Sequence, residues 1–328
     1  MSQTSTILVT GGSGFAGTYL VEFLRTRPHL TIWTCDRTGP NPRLGAAGAS
    51  HHVKLDLLDP VAARRVMADI RPDYVYHLAG QAFVGQSWSD PWGTLEINVR
   101  AQLNLLEAAL AERINPRFLS VGSMEEYGRV AERDLPIREA QALRPDSPYG
   151  VSKVAQDMLG LQYHLSRGLP VIRVRPFNHI GPRQSRRFVA PAFASQIAAI
   201  EAGKQAPVIQ VGNLSARRDF TDVRDVVRAY VLALEHGEPG EVYNIGSGGS
   251  HSIQSLLERL LSYSTQAITI ETDSERLRPA DVPDVVCDAR HLRDATGWQP
   301  RITFDQSLRD LLAYERTQVD AAAAAPGA

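Results

Sequence analysis

The 328-residue sequence predicts an α/β protein built on a doubly wound parallel sheet, with a smaller α/β cap toward the C-terminus. Three observations predict it. Short apolar runs recur through the first half of the chain with helix-like patterns between them. A glycine-rich turn follows the first run and opens the first helix pattern. Past Pro182 the regular alternation stops.

The apolar runs lie at 7–10, 31–35, 52–55, 74–78, 117–121 and 171–174. Strands that alternate with helices imply βαβ units and a parallel sheet. Right-handed crossovers then wind it on both faces. Beyond Pro182 a helix is expected over 188–203, ended by Gly203, with strands at 208–211 and 243–245 and a closing helix at 303–314. Residues 1–182, completed by segments near 215–247, form the larger unit, and 183–316 mainly form the cap. The alanine-rich stretch 317–328 is expected to be disordered.

Composition sets the class. Apolar residues make up 43% and charged residues 22%, with a formal net charge of −1, as in ordinary globular proteins. That charge gives no electrostatic case for binding nucleic acid or a membrane surface. No apolar stretch is long enough to span a bilayer. Met1–Thr6 is polar and carries no secretory pattern. Cys35 and Cys287 are too few for a disulfide framework, so a reducing cytoplasm is expected. No metal is expected.

The glycine turn is Gly11-Gly12-Ser13-Gly14-Phe15-Ala16-Gly17, between Ile7-Leu8-Val9-Thr10 and a helix pattern starting near Tyr19. Strand, glycine turn and helix form the context of a dinucleotide fingerprint. Gly11, Gly14 and Gly17 allow a tight turn, close approach of a pyrophosphate, and close packing of helix on strand. Phe15 and Ala16 sit at the helix N-terminus, whose N–H groups face the phosphates. Asp36, roughly 20 positions on, can accept hydrogen bonds from the adenosine ribose. It repels a 2′-phosphate, whereas the adjacent Arg37 attracts one. Contact repulsion favours NAD(H), with NADP(H) the alternative. Leu78, Ala79 and Gly80 are small or apolar where a cofactor crosses the sheet edge.

Tyr149 and Lys153 are four residues apart, on one helix face. A lysine charge there lowers the phenol pKa from about 10 and makes the tyrosine a usable acid or base. Ser123 can hydrogen-bond the same substrate oxygen. These three are the candidate catalytic residues.

Together these motifs resemble the extended short-chain dehydrogenase/reductase family, whose large domain is a Rossmann fold. The likeness runs through His77-Leu78-Ala79-Gly80, Asn98 in Ile97-Asn98-Val99, Arg175-Pro176-Phe177-Asn178-His179-Ile180-Gly181-Pro182, Arg218-Asp219-Phe220-Thr221-Asp222 and Tyr243-Asn244-Ile245-Gly246. Within the family, Gly122-Ser123-Met124-Glu125-Glu126-Tyr127-Gly128, Leu143-Arg144-Pro145 and Val211-Gly212-Asn213-Leu214 resemble the subgroup that reduces GDP-4-keto-6-deoxyhexoses to GDP-D-rhamnose.

The resemblance implies NAD(P)H-dependent reduction at sugar carbon 4. Sugar-nucleotide 4,6-dehydration, as of GDP-mannose, is the alternative, followed by 4-epimerisation. It implies a GDP-sugar substrate, and Asn98, Tyr149 and Lys153 among the cofactor-binding residues, with Lys153 on the cofactor ribose. Asp56 and Leu57 resemble an adenine-contacting pair, although Asp56 serves equally as a helix N-cap. Asn178, His179, Arg218, Arg278 and Asp281 match substrate positions, and an arginine fork suits a diphosphate. Glu125 stands where the dehydratases keep a base, with Met124 where they commonly carry a polar residue. It is assigned here to substrate contact. Arg183, Arg186 and Arg187 make a basic loop that either covers the diphosphate or is simply solvated. Helices at 95–111 and 149–160 are apolar on more than one face. In the family they form the four-helix bundle of a homodimer; burial against the sheet is the other reading.

Overall fold

A computed structural model describes residues 4–39, 50–273 and 284–324. Its strands are β1 (Ser5–Thr10), β2 (Leu30–Asp36), β3 (Ser50–Lys54), β4 (Tyr74–His77), β5 (Arg117–Val121), β6 (Val171–Pro176), β7 (Asn178–Ile180), β8 (Val208–Val211), β9 (Arg217–Asp222), β10 (Val242–Ile245), β11 (Ser250–Ser252) and β12 (Thr269–Thr272). The helices are α1 (Phe15–Arg25), α2 (Pro60–Ile70), α3 (Val84–Ser89), α4 (Pro91–Leu95), α5 (Ala101–Ala111), α6 (Pro148–Arg167), α7 (Val189–Glu201), α8 (Val223–His236), α9 (Ile253–Leu261), α10 (Arg290–Thr296) and α11 (Phe304–Ala324).

Seven parallel strands form the central sheet, in the order β10-β6-β5-β4-β1-β2-β3. The β1–β4 pair is therefore the place where strand order reverses, and ligands of such sheets bind outside the strand C-termini there. Two apolar cores cover the sheet. One includes Leu20, Leu24, Val226 and Tyr230 of α1 and α8; the other includes Val66 and Met67 of α2 with Leu105 and Leu106 of α5. Both sheet faces are buried, which is why the strands read as continuous apolar runs rather than alternating ones. Cys35 lies within the second core.

A third core joins α7, α9 and α11 through Phe193, Ile197, Leu256, Leu257, Leu308 and Leu311. The sheets β11-β9-β7 and β12-β8 lie beside it. Two local readings differ from sequence expectation. The helix expected over 95–111 is broken into α4, a π-helical turn Glu96–Arg100, and α5. A disordered tail was expected from 317, yet α11 continues to Ala324. Alanine has the highest helix propensity, so the run extends the helix rather than ending it.

Candidate active site

Every loop at the C-terminal edge of the central sheet carries a residue singled out in the sequence. Gly11 sits at the strand-order reversal with φ +69°, a left-handed conformation that favours glycine. A Cβ there would lie 2.7 Å from the Ala79 backbone nitrogen, and one at Gly17 would lie 2.1 Å from the Gly11 carbonyl. The three-residue glycine spacing is thus a steric requirement of strand, loop and helix. Thr10 ties the two strands together: its hydroxyl lies 2.8 Å from His77 Nδ1 and accepts the Ala79 N–H at 3.2 Å. Burial, then the nearby Lys153 charge, holds His77 down to about 3, so the ring is neutral.

Beside this loop lies a cleft of about 280 Å³, lined by Gly11, Gly14, Asp36, Arg37, Asp56, Leu57, Leu78, Ala79, Gly80 and Ile97, among others. Leu57, Leu78, Ala79 and Ile97 give it apolar walls, and Gly14, the N-cap of α1, lines it as well. These residues fit a dinucleotide: the glycines leave the room that side chains would fill. Asp36 faces the loop and accepts the Ser13 hydroxyl at 3.0 Å. Its carboxyl is raised by burial, against the hydrogen bonds from Ser13.

Asp56 does not cap α2. It accepts the Leu58 N–H at 3.0 Å, while Asp59 caps the helix by accepting from Val61 and Ala62. Asp59 directly precedes Pro60, and proline suits the first helical position. Asp56 is thereby left at the cleft.

Asn98 lies in the π-helical turn, wholly buried. Its Oδ1 accepts the Gln81 N–H at 2.8 Å and its Nδ2 donates to Ser152 Oγ at 2.8 Å. A Cβ at Gly80 would lie 2.8 Å from that Oδ1. Asn98 therefore braces the Gly80–Gln81 loop against α6.

Tyr149 and Lys153 follow the Ser147 N-cap and Pro148 that start α6. Tyr149 lies near enough to Ser123 for the serine hydroxyl to oppose the rise of its phenol pKa, and Ser123 caps the short 3₁₀ turn Met124–Glu126 after β5. The expected effect of Lys153 on Tyr149 is not what the structure shows. Lys153 Nζ donates to the Val121 carbonyl at 2.9 Å and to Gln156 Oε1 at 2.8 Å, and lies 5.9 Å from the Tyr149 ring centre. Burial pushes the Tyr149 phenol up, with Ser123 opposing and the Glu125 charge adding to the rise. Burial also brings Lys153 down to about 8. Desolvation outweighs the lysine because both side chains are buried and the ammonium is turned to the Val121 carbonyl of β5.

Asn178 and His179 begin β7, which pairs with β9. His179 stacks on Phe15, ring centres 5.8 Å apart, and burial lowers its pKa. Asn178 Oδ1 is buried without a hydrogen-bond donor. Arg218 lies in β9, opposite His251 of β11, and its Nη1 donates to the Arg217 carbonyl. Arg183 pairs with Glu22 and Arg186 with Glu315, away from the cleft, while Arg187 lies over the Phe83 ring. Arg278 and Asp281 lie outside the described residues. The structure thus brings Ser123, Tyr149 and Lys153 together and sets the glycine cleft at the neighbouring strand ends.

The sequence reading passed over Glu126. It is fully buried directly beneath Ser123, against Asp157, Arg173 and Arg175, which are buried too. A signal was present: Ser123 and Glu126 have the S-x-x-E spacing of a capping box.

Residues 8–311 match the family described as GDP-mannose 4,6 dehydratase. The GDP-6-deoxy-D-mannose reductase of Pseudomonas aeruginosa is 40% identical, over 97% of this chain and 99% of that protein. GDP-mannose 4,6 dehydratase 1 of Arabidopsis thaliana is 29% identical, over 92% and 87%. Among solved structures, RMD from Pseudomonas aeruginosa complexed with NADPH superposes with a TM-score of 0.83 and 38% identity, covering 96% of this chain and 100% of that one.

Proposed function

The chain belongs to the GDP-mannose 4,6 dehydratase family, and from that premise we propose that it is an NAD(P)H-dependent reductase of the C4 ketone of a GDP-4-keto-6-deoxyhexose, giving GDP-D-rhamnose. The observation that carries the reading is that Ser123, at the end of β5, and Tyr149 and Lys153, on the first turns of α6, meet in a buried pocket at the strand ends next to the glycine cleft. Ketone reduction needs a proton donor, whereas dehydratases and epimerases begin by oxidising an alcohol and need a base first. The 40% identity with a reductase along the whole chain, against 29% with a dehydratase, supports the same choice.

When bound, the nicotinamide supplies hydride to the ketone carbon. Gly11, Gly14, Phe15, Ala16 and Gly17 would hold the dinucleotide's phosphates, and Asp36 and Arg37 its adenosine ribose. Asp56, Leu57, Leu78, Ala79 and Gly80 would hold its adenine end. Asp36 favours NAD(H), and NADP(H) is the alternative that Arg37 allows. Tyr149 gives its proton to the oxygen as charge develops there. Ser123 donates a hydrogen bond to the same oxygen, a preorganised stabiliser. Lys153 holds the site's positive charge one turn below, and Asn98 keeps the Gly80 loop in place. Asn178, His179 and Arg218 would take the sugar and diphosphate, together with Arg278 and Asp281, and Glu125 would contact the sugar.

The unit of residues 1–182, completed near 215–247, binds the cofactor, and 183–316 mainly the GDP-sugar. The protein works as a cytoplasmic homodimer joined by a four-helix bundle. In support, both cysteines are free, and Val151, Met158 and Leu165 form an exposed apolar stripe with seven-residue spacing on α6.

The test is stoichiometry. Reduced cofactor should be consumed one for one with a GDP-4-keto-6-deoxyhexose, and Tyr149→Phe should lower kcat by at least about 10² while leaving cofactor affinity near wild type. A Tyr149→Phe enzyme at wild-type rate sinks the assignment.

A further inference from the structure

Beneath the proposed reacting centre lies a closed cluster of four charged side chains. Glu126 follows β5, Asp157 is on α6, and Arg173 and Arg175 are on β6. All four are buried, at 0%, 1%, 6% and 3% exposure. Asp157 is well supplied with donors: Arg173 Nη1 donates to its Oδ1 at 2.7 Å, and Arg175 Nε and Nη2 both donate to its Oδ2, the former at 2.8 Å.

Glu126 is placed differently. Its Oε1 accepts the backbone N–H of Ser123 at 2.8 Å. The carboxyl packs against Gly122, where a Cβ would lie 2.2 Å from Oε1. Its Oε2 lies 2.8 Å from Arg175 Nε, but that N–H is directed at Asp157, and Oε2 receives no donor. Glu126 Oε2 and Asp157 Oδ2 each lie 2.8 Å from the same Arg175 Nε, so the two carboxyl groups meet at one nitrogen that can donate to only one of them. Two carboxylates so placed in a dry cluster are satisfied when they share one proton. A proton on Glu126 Oε2, donated to Asp157, leaves one carboxylate for the two guanidinium groups.

We propose that Glu126, as a neutral acid donating to Asp157 and accepting from Ser123, is a positioning residue that fixes Ser123 against Tyr149. Burial, together with the Asp157 charge, holds the Glu126 carboxyl far above its usual range. Asp157, despite its own burial, is held low by Arg175 and Arg173. Tyr127 closes the cluster on its far side, accepting from Arg175 at 3.0 Å and donating to Asn244 at 2.7 Å. Lys153 and Tyr149 face Glu126 from α6. The link to turnover rests on the reductase reading, whereas the shared proton does not.

The experiment uses Glu126→Gln and Glu126→Ala. Glutamine reproduces the neutral acid: its carbonyl accepts from Ser123 and its amide donates to Asp157. It should keep kcat within about threefold, while alanine should lower kcat about 10- to 100-fold with cofactor affinity unchanged, the size expected of a displaced reacting group. Infrared spectra of the protein without substrate, at neutral pH, should contain a protonated-carboxyl carbonyl band that is missing in Glu126→Gln. If alanine prevents folding, glutamine and the infrared band still decide. The proposal is overturned if glutamine is as damaging as alanine, if folded alanine enzyme keeps wild-type kcat, or if the band is unchanged in Glu126→Gln. An active Tyr149→Phe enzyme would defeat the reductase reading instead and leave the infrared result standing.

Discussion

Asp36 reaches from the end of β2 to the glycine loop and holds Ser13 by both backbone and side chain, with the hydroxyl 3.0 Å from Oδ2 and the amide 3.1 Å from the same oxygen. The acidic residue thus shapes the phosphate loop as well as facing the proposed ribose site. Arg37, next to it, lines the same cleft.

Removing that carboxylate should have two separable effects. Asp36→Ala should weaken both cofactors modestly, because the loop loses its tie. It should also raise kcat/KM for NADPH relative to NADH by about tenfold, the equivalent of one contact repulsion of about 1.4 kcal/mol. Steady-state kinetics with each cofactor measures the ratio. A ratio equal to wild type would mean that Asp36 serves the loop alone.

Lys153 offers a stability test with a definite sign. Burial lowers its pKa from 10.5 to about 8. Below the folded value the lysine is charged in both folded and unfolded chains, and the full cost of burying that charge is present. Between about 8 and 10.5 the unfolded chain holds the extra proton, so stability gained from this group rises with pH. Above that window the cost is gone. Lys153→Met should therefore be more stable than wild type at neutral pH, by up to about 3 kcal/mol less the two lost hydrogen bonds. The gap should close as pH rises through the window. Chemical denaturation at several pH values measures it, and a pH-independent loss of stability would contradict it.

The exposed stripe on α6 gives an assembly test. Leu165 is 75% exposed, and Met158 and Val151 stand one and two heptads before it. Glutamate at two of them, Met158→Glu with Leu165→Glu, buries no charge in a monomer but would bury two from each protomer in a bundle. Sedimentation should show a dimer for wild type and a monomer for the variant, with the fold unchanged by circular dichroism. A dimeric variant would place the interface elsewhere.

What the sequence disclosed follows the range of the interactions. Gly11, Gly14 and Gly17 act within one turn, so their spacing alone revealed the loop, and the apolar runs revealed six of the seven sheet strands. Asp56 stood open between an adenine contact and the cap of α2; the cap is Asp59, the residue before the proline that starts the helix. The alanine-rich run continues α11 to Ala324 because alanine favours the helix, which low sequence variety alone does not express. Arg175 and Asp157 are 18 positions apart and on different elements, so no periodicity pairs them. Lys153 shows the opposite limit: the spacing to Tyr149 was right, yet burial, which spacing cannot express, reversed the expected shift.

Glu125 separates reduction from dehydration. It follows Ser123 by one intervening residue and is half-buried, near enough to Tyr149 for its charge to raise the phenol pKa. Dehydration requires removal of the proton on sugar carbon 5, and a carboxylate at this position is the base that such a step would use. Reduction requires no such base, because its proton comes from Tyr149. Glu125→Gln should therefore retain most of the reduction of a GDP-4-keto-6-deoxyhexose, whereas loss of a general base would cost about 10²- to 10⁴-fold. The wild type, given GDP-mannose alone in deuterated water, should place no deuterium at carbon 5. Deuterium there, lost in Glu125→Gln, would show that Glu125 is a base and that this chain dehydrates rather than reduces.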